Sequence, residues 1–364
     1  MWVCARWGTM PGKPLFTYKG DLVSYVLGIG LTNECNLSCP HCYRGLGNPR
    51  LTMGDLSTIL DSVDVDSVNL GTGENALHPD YHAMVDLLRE RGVKLAVTSN
   101  GYSVMEMSDE ELRAFHTVEL SLDYPTREEQ DAFRGEGNWD LVLRCLDRCR
   151  DLGVRASVIA VMMAPNWDRL ADIAAVAGAY GAMFRVNVYQ AVTTDRFTLS
   201  YEQFWEGFRR LFAATKLIAC SEPLVNAIMG LDTTHGSPCG TTSIRVSPRR
   251  QVSPCPYWPA KKLTLLDLRR LGAGVVETPP FAQTRVVPDA CQGCRYEQTC
   301  GGGCASRRAL RGDLNQPDEY CPVVRGDTVD IPFTLANPED LPKVGNACST
   351  AVICAPPTTN GPVL

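Results

Sequence analysis

Three cysteines fall within eight positions of LTNECNLSCPHCYRG: Cys35, Cys39 and Cys42, spaced C-x3-C-x2-C. Three thiolates on one loop can hold three irons of a cubane cluster and leave the fourth iron without a protein ligand. Structural zinc is the competing reading, but it prefers four ligands, and the loop supplies three unless His41 is the fourth. A second constellation lies farther on. CQGCRYEQTCGGGC places Cys291, Cys294, Cys300 and Cys304 at spacings of x2, x5 and x3, with Cys239 and Cys255 before them and Cys321 after. C-x2-C is also a common zinc spacing, so a pair of zinc ribbons competes here. Cys348 and Cys354, near the C-terminal end, either pack incidentally or bring a thiol to the site, as a hydrogen donor or as a cap on the three-cysteine cluster. Cys220 is a further candidate for either role. Cys145 and Cys149, four apart on one helix, suit a buried structural face.

The bulk numbers narrow the classes. Hydrophobic residues make up 45% and charged residues 21%, as in ordinary globular proteins. A net charge of −6 argues against a broad nucleic-acid surface. No apolar run is long enough for a membrane span, and MWVCARWGTMPGKP lacks the apolar core of a signal peptide. These features predict a cytoplasmic protein. Sixteen cysteines in a reducing compartment then point to metal ligands or redox chemistry rather than disulfides.

The elements that must position the motifs alternate between strand and helix. Strands are expected at 24–32, 66–71, 94–101, 116–123, 154–163 and 182–190. Helices are expected at 51–63, 80–92, 139–153 and 166–179. Six units with short connections predict a parallel sheet with right-handed crossovers, an α/β partial (β/α)6 barrel with helices outside. Ligands of such folds sit at the C-terminal ends of the strands. The cysteine loop, Gly71–Glu74, Thr98–Gly101 and Ser121–Asp123 follow strands one to four in turn. After a helical link at 200–213 the chain becomes rich in Gly, Pro and Cys, which predicts a small module stapled by metal. The last forty residues are rich in Pro and Thr and predict a mobile tail. The expected division is an N-terminal segment 1–23, a barrel 24–215, a cysteine-rich module 216–325 and a flexible tail 326–364.

C-x3-C-x-aromatic-C behind the first strand of such a barrel resembles the radical S-adenosylmethionine superfamily, with His41 at the aromatic position. The resemblance implies a 4Fe–4S cluster on Cys35, Cys39 and Cys42. Its open iron would chelate S-adenosylmethionine, and an electron from the cluster would cleave that molecule to methionine and a 5′-deoxyadenosyl radical. GTGE (71–74) looks like the family's Gly-Gly-Glu stretch with Thr72 as a variation, and TSNG and SLD resemble its ribose and carboxylate contacts. The implied S-adenosylmethionine contacts are His41, Gly71, Gly73, Glu74, Ser99, Asn100, Ser121, Asp123 and Arg134; a solvated surface arginine is the other reading of Arg134. The second constellation resembles the SPASM module, which carries auxiliary clusters. By that resemblance Cys239, Cys255 and Cys304 hold one cluster, its fourth ligand unassigned, and Cys291, Cys294, Cys300 and Cys321 hold another, for three 4Fe–4S clusters in all. Arg250 stands where the module usually has glycine.

The SPASM branch includes many peptide maturases. The expected function is therefore radical oxidation, cross-linking or epimerisation of a ribosomally made peptide. The runner-up is oxidation, decarboxylation or epimerisation of a tetrapyrrole or aminosugar. A protein that only transfers electrons is a third class, which the open coordination site and the GTGE, TSNG and SLD series argue against. About 23 residues precede the first strand, too few for a fused leader-binding domain, so a separate leader-peptide-binding partner is expected. The resemblance also implies a flavodoxin- or ferredoxin-type reductant.

Overall fold

The computed structural model describes residues 24–231, 239–260, 262–337 and 351–356. Six parallel strands form the frame: β1 (Tyr25–Ile29), β2 (Val65–Leu70), β3 (Lys94–Ser99), β4 (Phe115–Ser121), β5 (Ala156–Met162) and β6 (Met183–Val188). They are adjacent in sequence order, each joined to the next across helices. The chain thus makes the partial barrel expected from its alternating pattern.

The period of two explains which face does what. In β6, Phe184, Val186 and Val188 are buried, while Met183, Arg185 and Asn187 line a central cavity. In β1, Tyr25, Leu27 and Ile29 are buried, and Val26 and Gly28 line the cavity. The outward apolar sets meet the helices in one large core, with Leu56, Ile59 and Leu60 from the helix Met53–Ser62 and Met84, Val85 and Leu88 from Tyr81–Glu90. Thr52 starts the first of these helices through a capping box with Asp55. Cys145 and Cys149 share the buried face of the helix Asn138–Asp151, as their spacing predicts.

The sheet runs past the barrel on both sides. On one side β8 (Ser243–Val246) adds in parallel beside β1, followed by β9 (Gln251–Ser253) and β10 (Leu263–Thr264), both antiparallel. The cysteine-rich segment is therefore hydrogen-bonded into the barrel sheet. The turn between β8 and β9 places Arg250 at a φ of 61°, a left-handed conformation that glycine adopts more readily. Its guanidinium is held by Asp55, with Nη2 2.8 Å from Oδ2.

On the other side lies a departure from the sequence reading. β11 (Ala351–Ala355) runs antiparallel between β6 and β7 (Lys216–Cys220), with Ile353 opposite Arg185 and Ala219. This stretch of the expected flexible tail is a fully paired strand, because β6 would otherwise end the sheet with an open edge. Residues 1–23 and 338–350 lie outside the described residues. Among the described residues, no helix is long and apolar enough to cross a membrane.

Candidate active site

The loop after β1 carries Cys35, Cys39 and Cys42 to the cavity lining. Backbone carbonyls left unpaired by the irregular loop are taken up by two donor side chains. Asn33 Nδ2 donates to Gly45 O at 2.8 Å and Gly47 O at 2.6 Å. Arg44 donates to Asn33 O and, at 3.1 Å, to Leu37 O. Gly73 lets the next strand end approach. Its φ is 67°, and a Cβ there would lie 2.5 Å from the backbone oxygens of Thr32 and Glu34.

Glu74 is fully buried and ties β2 to β3. Its carboxylate accepts from Ser99 Oγ at 2.5 Å, from the Asn100 amide at 3.0 Å and from the Ser103 amide at 2.8 Å. Three of its four lone-pair directions are thus occupied inside the protein, and one is left toward the cavity. Asn100 extends the tie: its Nδ2 donates to Asn36 Oδ1 at 2.8 Å and lies 3.6 Å from Cys35 Sγ.

The other side of the loop rests on Asp123 and Arg134. Arg134 donates to Asp123 Oδ2 through Nε at 2.8 Å, with Nη2 2.7 Å from the same oxygen. The Val161 amide donates to Oδ1 at 2.8 Å. Arg134 is thus a buried ion-pair partner, which corrects the surface reading. Its Nη1 lies 4.0 Å from Cys39 Sγ. His41 stacks on Phe133 with ring centroids 5.0 Å apart, and Nε2 stands 3.7 Å from Asp123 Oδ2. Burial pulls the imidazole pKa down to about 4, more than the Asp123 charge restores, so the ring is neutral at physiological pH. Its Nδ1 is buried without a hydrogen-bond partner.

Of the nine implied S-adenosylmethionine contacts, His41, Gly71, Gly73, Glu74, Ser99, Asn100, Ser121 and Arg134 line the same cavity as the three cysteines. Asp123 does not; it sits behind Arg134. The tail thiols fare differently. Cys354 is fully buried, and burial pushes its thiol up to about 12. It is Ile353 that lines the cavity, so alternation along β11 turns Cys354 to the other face, which removes it from the candidate hydrogen donors. Cys348 lies outside the described residues. Cys220 is buried against Glu222 O at 3.7 Å and does not line the cavity.

The sequence reading missed a polar layer deeper in the barrel. Glu119 accepts from Thr98 Oγ1 at 2.6 Å, from Asn69 Nδ2 at 3.3 Å and from Arg185 Nη1. The available signal was a polar residue at every second position of strands that are otherwise apolar: Asn69, Glu119, Arg185 and Asn187. Arg245 on β8 also lines this layer.

The donor set fits iron–sulfur clusters. Among the described residues, no three His, Cys, Asp or Glu side chains gather closely enough to hold one metal ion, as zinc would require. Cluster thiolates bind different irons and stand farther apart. The second constellation falls into two neighbourhoods. Cys255 feels the charge of Cys239, and Cys304 that of Cys255. Cys291 feels Cys321 and Cys294, and Cys300 feels Cys321. Burial pushes Cys39 up to about 11 and Cys255 and Cys300 up to about 12.

Raised thiol pKa values have a sign in stability. The folded metal-free chain holds these protons more tightly than the unfolded chain. The contribution is therefore complete below the unfolded thiol value of about 8.5 and is lost progressively as pH rises from there toward the folded values of about 11 to 12. The melting temperature of metal-free protein is expected to fall between pH 8 and pH 10. Cluster-loaded protein, whose ligand thiols are already deprotonated, is expected to fall less. Parallel slopes in a thermal melt series would contradict this account.

Comparison with known proteins adds family and fold. The family profile described as Radical SAM superfamily matches residues 29–177. The chain is 26% identical over 321 residues to the mycofactocin maturase MftC of Mycolicibacterium smegmatis, covering 80% of this chain and 81% of that protein. The structure of Streptococcus suis SuiB bound to S-adenosylmethionine superposes with a TM-score of 0.63 at 15% identity, covering 82% of this chain and 77% of SuiB. Native anSMEcpe with bound AdoMet superposes with a TM-score of 0.62 at 13% identity, covering 82% of this chain and 95% of that one. At these identities the structures speak for a shared fold.

Proposed function

We propose that this chain, whose residues 29–177 match the Radical SAM superfamily profile and whose cysteine-rich module resembles SPASM, is a radical S-adenosylmethionine enzyme that oxidises, cross-links or epimerises a ribosomally made peptide. The observation that carries this reading is a cavity of about 1010 Å³ into which the cysteine loop and four successive strand ends open. That is the upper end of the range for small-ligand sites, with room for S-adenosylmethionine and a peptide segment together. The similarity to a mycofactocin maturase points to the peptide class.

Cys35, Cys39 and Cys42 would hold a 4Fe–4S cluster, which would supply one-electron reducing chemistry for the cleavage of S-adenosylmethionine. The chain's own residues do the positioning. Asn33 and Arg44 hold the loop; Glu74, Ser99 and Asn100 fix it to β2 and β3; Arg134 and Asp123 brace Cys39. His41, neutral and stacked on Phe133, offers a flat apolar face with one free ring nitrogen. Cys239, Cys255 and Cys304 would hold one auxiliary cluster and Cys291, Cys294, Cys300 and Cys321 a second. Residues 24–215 and 216–325 would serve as barrel and module. A flavodoxin- or ferredoxin-type reductant and a separate leader-binding protein complete the proposed system, in the cytoplasm.

The test is 5′-deoxyadenosine formation by protein reconstituted anaerobically with iron, sulfide, S-adenosylmethionine and dithionite. Peptide-sized extract of the native organism should stimulate it several-fold over buffer. Stimulation by a tetrapyrrole or aminosugar fraction instead would overturn the peptide reading.

A further inference from the structure

The cations lining the cavity are not alike. Among the described residues, Lys94 pairs with Asp66, Arg134 with Asp123 and Arg185 with Glu119. Arg44 is spent on backbone carbonyls, and exposed Arg249 donates to Leu46 O. Arg245 and Lys262 have no carboxylate partner among the described residues, and Arg245 Nε is buried with no hydrogen bond at all.

Arg245 is also placed deliberately by the backbone. It stands opposite Gly28 in the β8–β1 register. A Cβ on Gly28 would overlap Arg245 Nη1 and crowd Cδ and Cζ at 2.7 Å. The Arg245 side chain therefore occupies the space over Gly28, the one position of β1 without a side chain, on the strand whose end carries the cysteine loop. Burying that Nε with no hydrogen-bond partner is costly, because the water it loses is not replaced by a protein acceptor. The planar fork of a guanidinium matches a carboxylate with two parallel hydrogen bonds.

We propose that Arg245, with Lys262 adding positive potential, is the specificity residue that receives a carboxylate of the substrate inside the barrel. The inference rests on the peptide reading above, since peptides offer that group either at their C-terminus or on Asp and Glu side chains. The anchored carboxylate fixes how far the rest of the substrate reaches toward Cys35–Cys42. The Cys239 and Cys255 thiolates lie close enough to act on Arg245, so a role in balancing their charge is the rival outcome.

The test measures binding without turnover, by anaerobic calorimetry on reconstituted protein with S-adenosylmethionine present. The probes are N-acetyl-glycyl-phenylalanine as free acid, the same dipeptide as its C-terminal amide, and N-acetyl-aspartyl-phenylalanine amide. The free acid should bind about tenfold more tightly than its amide, the ratio expected for one charge-assisted interaction. In Arg245→Gln the preference should vanish. Gly28→Ala should abolish it too, although the arginine remains, because the added methyl displaces its guanidinium. Tight binding of the aspartyl amide would identify a side-chain carboxylate as the group received; weak binding would identify the C-terminus. Equal affinity of acid and amide for the unaltered protein overturns the proposal. So does a preference that survives Arg245→Gln while iron content or the cluster spectra change, which assigns the residue to the cluster thiolates. A failed peptide reading shows separately, as deoxyadenosine formation that no peptide fraction stimulates while the acid preference persists.

Discussion

Replacing Gly73 by alanine will cut 5′-deoxyadenosine formation about a hundredfold, and replacing Gly71 by alanine will leave it within about threefold. The two glycines look equivalent in GTGE. Their surroundings differ. A Cβ at Gly73 meets two backbone oxygens, Thr32 O and Glu34 O, at 2.5 Å, and the residue's φ of 67° disfavours any side chain. Backbone cannot rotate away as a side-chain tip can, so the cysteine loop itself must shift. A misplacement of about 1 Å at a reacting centre costs on the order of a hundredfold. At Gly71 the nearest atom to a new Cβ is Asn69 Oδ1 at 3.7 Å, an ordinary contact. The measurement is chromatographic quantification of deoxyadenosine per iron bound. Equal losses in both variants would mean that the motif's glycines serve a ligand rather than the approach of the loop.

Replacing Arg307 by methionine will destabilise the folded chain by about 3–5 kcal/mol, the usual cost of removing one partner from a buried ionic cluster. Arg307 is 3% exposed and faces two carboxylates, each fully buried. Its Nη2 lies 2.7 Å from Glu222 Oε1 and 2.7 Å from Asp318 Oδ2, and its Nε donates to Asp318 Oδ2 at 2.9 Å. Asp318 also accepts the Cys304 amide at 2.8 Å, so this ionic cluster fixes the backbone that presents Cys304, a proposed ligand of the auxiliary iron–sulfur cluster. Methionine fills similar volume but strands two negative groups among Phe204 and Tyr320, whose rings lie against the guanidinium. Burial already pushes the Glu222 carboxyl pKa up, and removing the arginine that opposes this will push it further. The melting temperature should fall by roughly 5–10 °C. Glu222→Gln, which leaves Arg307 paired with Asp318, should cost clearly less. Equal melting of Arg307→Met and the parent would show that packing alone holds this region.

The six strands and the helices named from periodicity occur within a few residues of their expected limits. Local pattern carried them: alternation in AMFRVNVYQ and an apolar stripe in DYHAMVDLLRERG. The cysteine loop and the strand-end motifs were legible for the same reason. Their spacing is local, and the parallel topology sends every strand end to one side of the sheet.

The sequence by itself therefore determined the partial barrel and the end of it to which the strand-end motifs and the cysteine loop are sent. The tertiary structure decided what each polar side chain meets. Arg185 finds Glu119 across 66 residues, Arg307 finds Glu222 across 85, and Arg245 settles over Gly28 because β8 happens to flank β1. It also turned the expected loose tail into β11 and Cys354 away from the cavity. Such partners follow from strand order and register, which are set by the closing of the whole sheet, and no window of neighbouring residues contains that information.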